Sequence, residues 1–141
     1  GTRPLLPVLS AHGHHDLATR LFQSRDFPSW GYEVDNGATT IWERWNSYTK
    51  GKGFFNPSMN SFSHYAFGAV AEWACTALGG IDTEDAGYRR IIIRPLIPSP
   101  NSNPDRKPID SFAATYDSIR GRIASKWTRT GASVAYEITI P

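Results

Sequence analysis

The spacing of apolar residues changes once along this chain, and that change limits what the chain can become. As far as about residue 80, apolar side chains recur at steps of three and four, whereas beyond about residue 90 they alternate. The first spacing lines one stripe of a helix; the second lines one face of a strand. Helices therefore come first and antiparallel sheet last, an α+β order with its boundary expected within residues 81–87.

In more detail, "RPLLPVLSAHG" and "HHDLATRLFQS" read as two short helices. "RDFPSWGYEVDNGATTIWERWN" mixes proline, glycine and β-branched residues without a period, so a loop or short strand pair is expected there, followed by a loop in "SYTKGKGFFNPSMN". From Ser61 the residues Phe62, Ala66, Ala69, Val70, Trp73 and Ala77 form one helical stripe, with Asn60 or Ser61 as its cap and Gly79 and Gly80 as its end. "RRIIIRP", "SFAATYDS", "GRIASKWTR" and "ASVAYEITI" read as consecutive antiparallel strands, turning at Arg120-Gly121 and Thr130-Gly131. The chain opens directly into a helical pattern and ends in a strand pattern, as a segment of a longer protein would.

Charge narrows the range of partners. Fifteen basic and thirteen acidic side chains are scattered over 141 residues, a net charge of +2. No field forms that would gather a nucleic acid or an anionic membrane, and neither is expected as a partner. The single Cys75 lies in "AEWACTALGG", where a small buried core residue is expected. One cysteine excludes an internal disulfide and leaves the compartment undecided among cytoplasm, periplasm and exterior. Five tryptophans exceed what packing alone needs in a chain of this length.

Two of those tryptophans flank a carboxylate in "GATTIWERWN". Between Trp42 and Trp45, Glu43 would lose hydration, which favours its protonated form and suits it to general-base work; pairing with Arg44 or another arginine is the alternative. His64, in "NSFSHYAFG", could hydrogen-bond a ligand hydroxyl or serve structure alone. Trp30, Trp42, Trp45 and Tyr48 could stack on the apolar face of a sugar, whereas Trp73 and Trp127 lie on periodic faces that read as core. In "HGHHD", Gly13 interrupts the helical spacing between His12 and Asp16 that a metal would need, so solvated turn residues are expected and no metal site. Glu33 and Asp35 read as exposed carboxylates. Phosphate loops and nucleophile triads are absent from the pattern, and no cofactor is expected.

The stretches "GATTIWERWNS", "NPSMNSFSHYAFGAVAEW" and "GYRRIIIRP" together resemble the C-terminal portion of the α-L-rhamnosidases of glycoside hydrolase family 78. The likeness runs from "LLPVLSAHGHHDLATRLF" to the last strand. It implies that residues 1–80 are the last helices of an (α/α)6 catalytic toroid and that residues 81–141 begin a C-terminal antiparallel β-sandwich domain, both incomplete. It further implies release of terminal α-L-rhamnose from rhamnosides with inversion, Glu43 as the general base and His64 as a rhamnose-binding residue, with Trp42 and Trp45 beside them. The family's general acid and the sugar-binding residues around it lie upstream, on a motif this chain lacks. "PSPNSNPDRKP" also looks longer than the family's usual connection. The expected partners are rhamnose-containing glycosides and the remainder of the catalytic domain or a second copy of the chain. The alternatives are a carbohydrate-binding fragment without catalysis and a structural remnant without a ligand.

Overall fold

The computed structural model describes residues 3–56, 58 and 60–141. Pro57 and Met59, in the middle of the "NPSMN" stretch, lie outside the described residues. The chain forms two compact units that meet in sequence between residues 70 and 71.

In the first unit, α1 (Leu5–Ala11) and α2 (His15–Gln23) form the expected helix pair, with Leu6, Ala18 and Thr19 buried. A further helix, α3 (Trp30–Asp35), stands where a loop was expected. Its start is defined by Ser29, whose hydroxyl accepts from the Tyr32 amide at 3.0 Å, satisfying one of the free first-turn donors. Gly31 lets it approach the preceding chain, because a Cβ at that position would stand 2.3 Å from the Ser24 carbonyl oxygen. A two-residue ladder, β1 (Tyr48–Thr49) with β2 (Gly53–Phe54), closes the loop that follows.

The long helix expected from Ser61 is shorter and composite. A 3-10 turn, Tyr65–Gly68, leads into α4 (Ala69–Trp73) and then a π-helical turn, Ala74–Leu78. Neither Asn60 nor Ser61 caps it: the Asn60 amide donates to the Ser47 carbonyl, and the Ser61 hydroxyl accepts from Ser63 N.

In the second unit, β3 (Ile81–Thr83) pairs antiparallel with β4 (Ile91–Ile93). A three-stranded antiparallel sheet follows, in the order β5 (Ser111–Ser118), β6 (Gly121–Thr130) and β7 (Ser133–Thr139). The expected run of four consecutive strands is thus divided, because the proline-rich stretch after β4 leads the chain away from a continuous ladder and β4 takes β3 as its partner. The tight turns fall at Ile119-Arg120 and Gly131-Ala132, the first one residue earlier and the second one residue later than expected. Ile81, Ala114 and Ile123 form a core cluster, and Trp73 and Trp127 are buried as expected. The Trp127 indole N–H donates to the Leu78 carbonyl at 2.8 Å, giving its polar edge a partner.

Candidate active site

Residues 40–43 run beside residues 61–64. Glu43 N donates to Ser61 O and His64 N donates to Ile41 O, each at 2.8 Å, while the Thr40 hydroxyl donates to Phe62 O. The Glu43 side chain adds a third link at the same place, Oε2 accepting from Ser61 N at 2.8 Å. One carboxylate oxygen is therefore held, and Oε1 has no protein partner among the described residues. These bonds bring two residues 21 positions apart in sequence, Glu43 and His64, onto paired stretches of backbone.

Arg44, the nearest candidate for an ion pair, is turned elsewhere: its guanidinium lies over the Phe55 ring, 4.9 Å from the centroid. Glu43 and His64 are both half-buried. The His64 imidazole stacks on Tyr65, with centroids 6.0 Å apart and planes 12° from parallel, and its ring nitrogens have no protein partner among the described residues.

The tryptophans around Glu43 are anchored. Trp42 is 5% exposed, with its ring edge-on to Phe62 at 5.2 Å and to Tyr48 at 6.4 Å. Trp45 meets Trp30 of α3 edge-on at 5.0 Å. Little of the Trp42 ring is left to face a ligand, whereas Trp45 is only partly buried. Trp30, another residue considered for sugar stacking, is buried in α3.

One turn along α3 from Trp30 lies Glu33, which is 2% exposed and so not the exposed carboxylate expected from sequence. Burial pushes its pKa up to about 7, against a partial lowering by a hydrogen bond from the Trp42 backbone. Its Oε1 is buried without a partner among the described residues. The carboxyl borders a cavity of about 330 Å³ lined by Phe22, Trp30, Thr39, Thr40, Ile41 and other small apolar neighbours. A second cavity, of about 300 Å³, lies against Trp42, Tyr48, Phe54 and Phe62. Asp35 is about half exposed and pairs with Arg25.

Elsewhere, Cys75 is exposed rather than buried, because in the π-helical turn it falls outside the face that buries Ala77 and Leu78. In the histidine-rich stretch, His15 Nδ1 lies 2.9 Å from the Ser10 hydroxyl, while His12, His14 and Asp16 are exposed. Among the described residues no group of three His, Cys, Asp or Glu side chains converges as a metal site.

Comparison with known proteins identifies the class first. Residues 1–78 match the bacterial alpha-L-rhamnosidase 6 hairpin glycosidase domain, so the helical unit falls in the class of six-hairpin glycosidase domains. Residues 80–141 match the bacterial alpha-L-rhamnosidase C-terminal domain. The chain belongs to the bacterial α-L-rhamnosidase family, and its α+β order is that of the end of one domain followed by part of another. An alpha-L-rhamnosidase of Streptomyces avermitilis is 43% identical over all 141 residues, and one of Formosa agariphila is 40% identical over the same span. The crystal structure of the Streptomyces avermitilis alpha-L-rhamnosidase complexed with L-rhamnose superposes on the whole chain with a TM-score of 0.85 at 42% identity. The chain spans only 13% and 14% of the length of those two relatives.

Proposed function

We propose that this chain supplies the water-activating half of an inverting α-L-rhamnosidase, a hydrolase acting on terminal α-L-rhamnose in rhamnosides. In this reading residues 1–80 are the last helices of an (α/α)6 toroid and residues 81–141 begin the antiparallel β-domain. Glu43 is the general base. With Oε2 fixed by the Ser61 amide, Oε1 accepts a proton from water as the water oxygen attacks the anomeric carbon. The glycosidic bond breaks on the opposite face, and the departing oxygen takes a proton from a carboxylic acid carried outside this chain. Inversion requires the two carboxyl groups to stand roughly 6.5–9.5 Å apart, so that a water fits between base and sugar. His64 hydrogen-bonds a rhamnose hydroxyl through its unpartnered ring nitrogens. Trp42 and Trp45 wall the base, and the partly open Trp45 ring is the one with surface for the sugar.

The observation that carries this reading is the pairing of residues 40–43 with residues 61–64, which holds Glu43 by one oxygen against Ser61 and puts His64 on the same pair of stretches, bonded to Ile41. In the complete enzyme, Glu43→Gln keeps the Ser61 contact and loses proton affinity. Turnover is expected to fall by about 10²–10⁴, the range typical of general-base loss, while rhamnose still binds. Steady-state kinetics together with a tryptophan-fluorescence titration checks both halves, and turnover at the parent rate rejects the assignment. If rhamnose binds but the complete protein turns nothing over, the chain belongs instead to a carbohydrate-binding protein.

A further inference from the structure

We infer that the face of α3 carrying Trp30 and Glu33 is the positioning element for the base, gripping the Glu43 stretch from both sides. This rests on the reading of Glu43 as the base. Trp30 and Glu33 are three residues apart on a helix and so share one face. Each reaches one of the two tryptophans that bracket Glu43. The Trp30 ring meets Trp45 at 5.0 Å, and the Glu33 carboxyl takes the backbone hydrogen bond of Trp42. Both anchors are buried, at 8% and 2% exposure, so neither has solvent freedom to let the stretch drift.

The choice of residue type at position 33 also needs explaining. A buried oxygen without a partner is unfavourable, and an apolar side chain of similar size would avoid that cost if the site only needed filling. What Glu33 adds is a fixed acceptor facing the amide immediately before Glu43. A displacement of about 1 Å in a reacting group is enough to lose orders of magnitude in rate, so such an acceptor acts on kcat rather than on sugar binding. Neither anchor touches the sugar in this reading; both act through Glu43.

The test uses the complete enzyme with an activated aryl α-L-rhamnoside, whose leaving group needs little help from the acid. Glu33→Met, which removes the acceptor at nearly constant size, is expected to lower kcat by about tenfold or more with KM within threefold, whereas Glu33→Gln, which keeps an acceptor oxygen, should retain at least about a third of kcat. Azide, a nucleophile with no proton to surrender, should restore turnover to Glu43→Ala and not to Glu33→Met. Parent kcat in a folded Glu33→Met variant overturns the proposal. So does azide rescue of Glu33→Met matching that of Glu43→Ala, which would make Glu33 itself the base. If Glu33→Met does not fold, Trp30→Phe carries the same expectation of lost kcat at constant KM, and unchanged kcat there overturns the proposal equally. An unimpaired Glu43→Ala sinks the base assignment itself, whatever position 33 shows.

Discussion

An acid that is 2% exposed has little water to stabilise its charged form, and for Glu33 this moves the pKa from 4.5 to about 7. The sign of the consequence follows from linkage. Below about pH 4.5 the carboxyl is protonated whether the chain is folded or not, and its ionisation contributes nothing to stability. Between about 4.5 and 7 the unfolded chain releases the proton and the folded chain keeps it, so stability falls as pH rises and then levels off. At about 1.4 kcal/mol per pH unit the full effect is on the order of 3 kcal/mol. Glu33→Gln should therefore flatten the pH dependence of the thermal midpoint of the 141-residue chain across that window and raise stability at pH 8. A midpoint with the same pH dependence in both proteins would contradict the burial. Individual residues were unevenly legible from sequence. Glu43 stood out because two large apolar side chains flank it, and the bonds of Glu43 to Ser61 and of His64 to Ile41 then put His64 on the stretch that faces it. Glu33 did not stand out, since nothing in its neighbours marks burial until the helix that carries it is known.

That helix, α3, is the element sequence reading missed, and the reason is local. Pro28, Gly31 and Gly37 dilute any helical period, and six residues are too few for a stripe to emerge. The signal that was present is smaller: Ser29 as a cap, with Glu33 in the first turn. The opposite error at Ser61 has a tertiary cause. The stripe from Phe62 is genuine, but Ser61 N is taken by the Glu43 carboxylate, Ser61 O by Glu43 N, and His64 N by Ile41 O, so these residues cannot enter a helix. The site thus shortens the helix that follows it. The three long strands kept their predicted positions because two-residue turns and strict alternation specify a hairpin locally. At the scale of α3 the glycine is decisive. Gly31→Ala puts a methyl 2.3 Å from Ser24 O and 2.7 Å from Arg25 Cγ, and the backbone oxygen cannot swing aside as a flexible side chain would. The expected cost is about 1–3 kcal/mol, read as a lowered thermal midpoint. In the complete enzyme kcat should fall as well, since α3 shifts with Trp30 and Glu33 on it. A protein of parent stability would mean that α3 does not approach residues 24 and 25 as closely as the structure has it.

For the molecule as a whole, the question is whether 141 residues are enough for chemistry. Inverting hydrolysis needs a proton donor across the sugar from the base. Within the helical unit the two carboxyls near Glu43 in sequence are both committed: Glu33 is turned to the Trp42 amide and Asp35 to Arg25. The proposed mechanism therefore takes its donor from outside this chain, which spans 13% and 14% of the length of two relatives. The sheet bears the same mark of partial coverage. Tyr136 and Ile138 of β7 stand opposite the buried Trp127 and Ser125 of β6, yet each is half exposed, so this chain leaves part of that apolar face uncovered. From these facts the isolated chain is expected to release rhamnose at least about 10² times more slowly than the complete enzyme, because acid catalysis alone contributes about 10²–10⁴. Comparing an alkyl rhamnoside with an activated aryl rhamnoside separates the causes. If only the proton donor were lacking, the aryl substrate would recover most of the deficit. Because an open toroid also fails to position the sugar, both substrates should remain slow. Rhamnose release by the purified chain at a rate comparable to that of the complete enzyme would show that the donor lies within these residues after all.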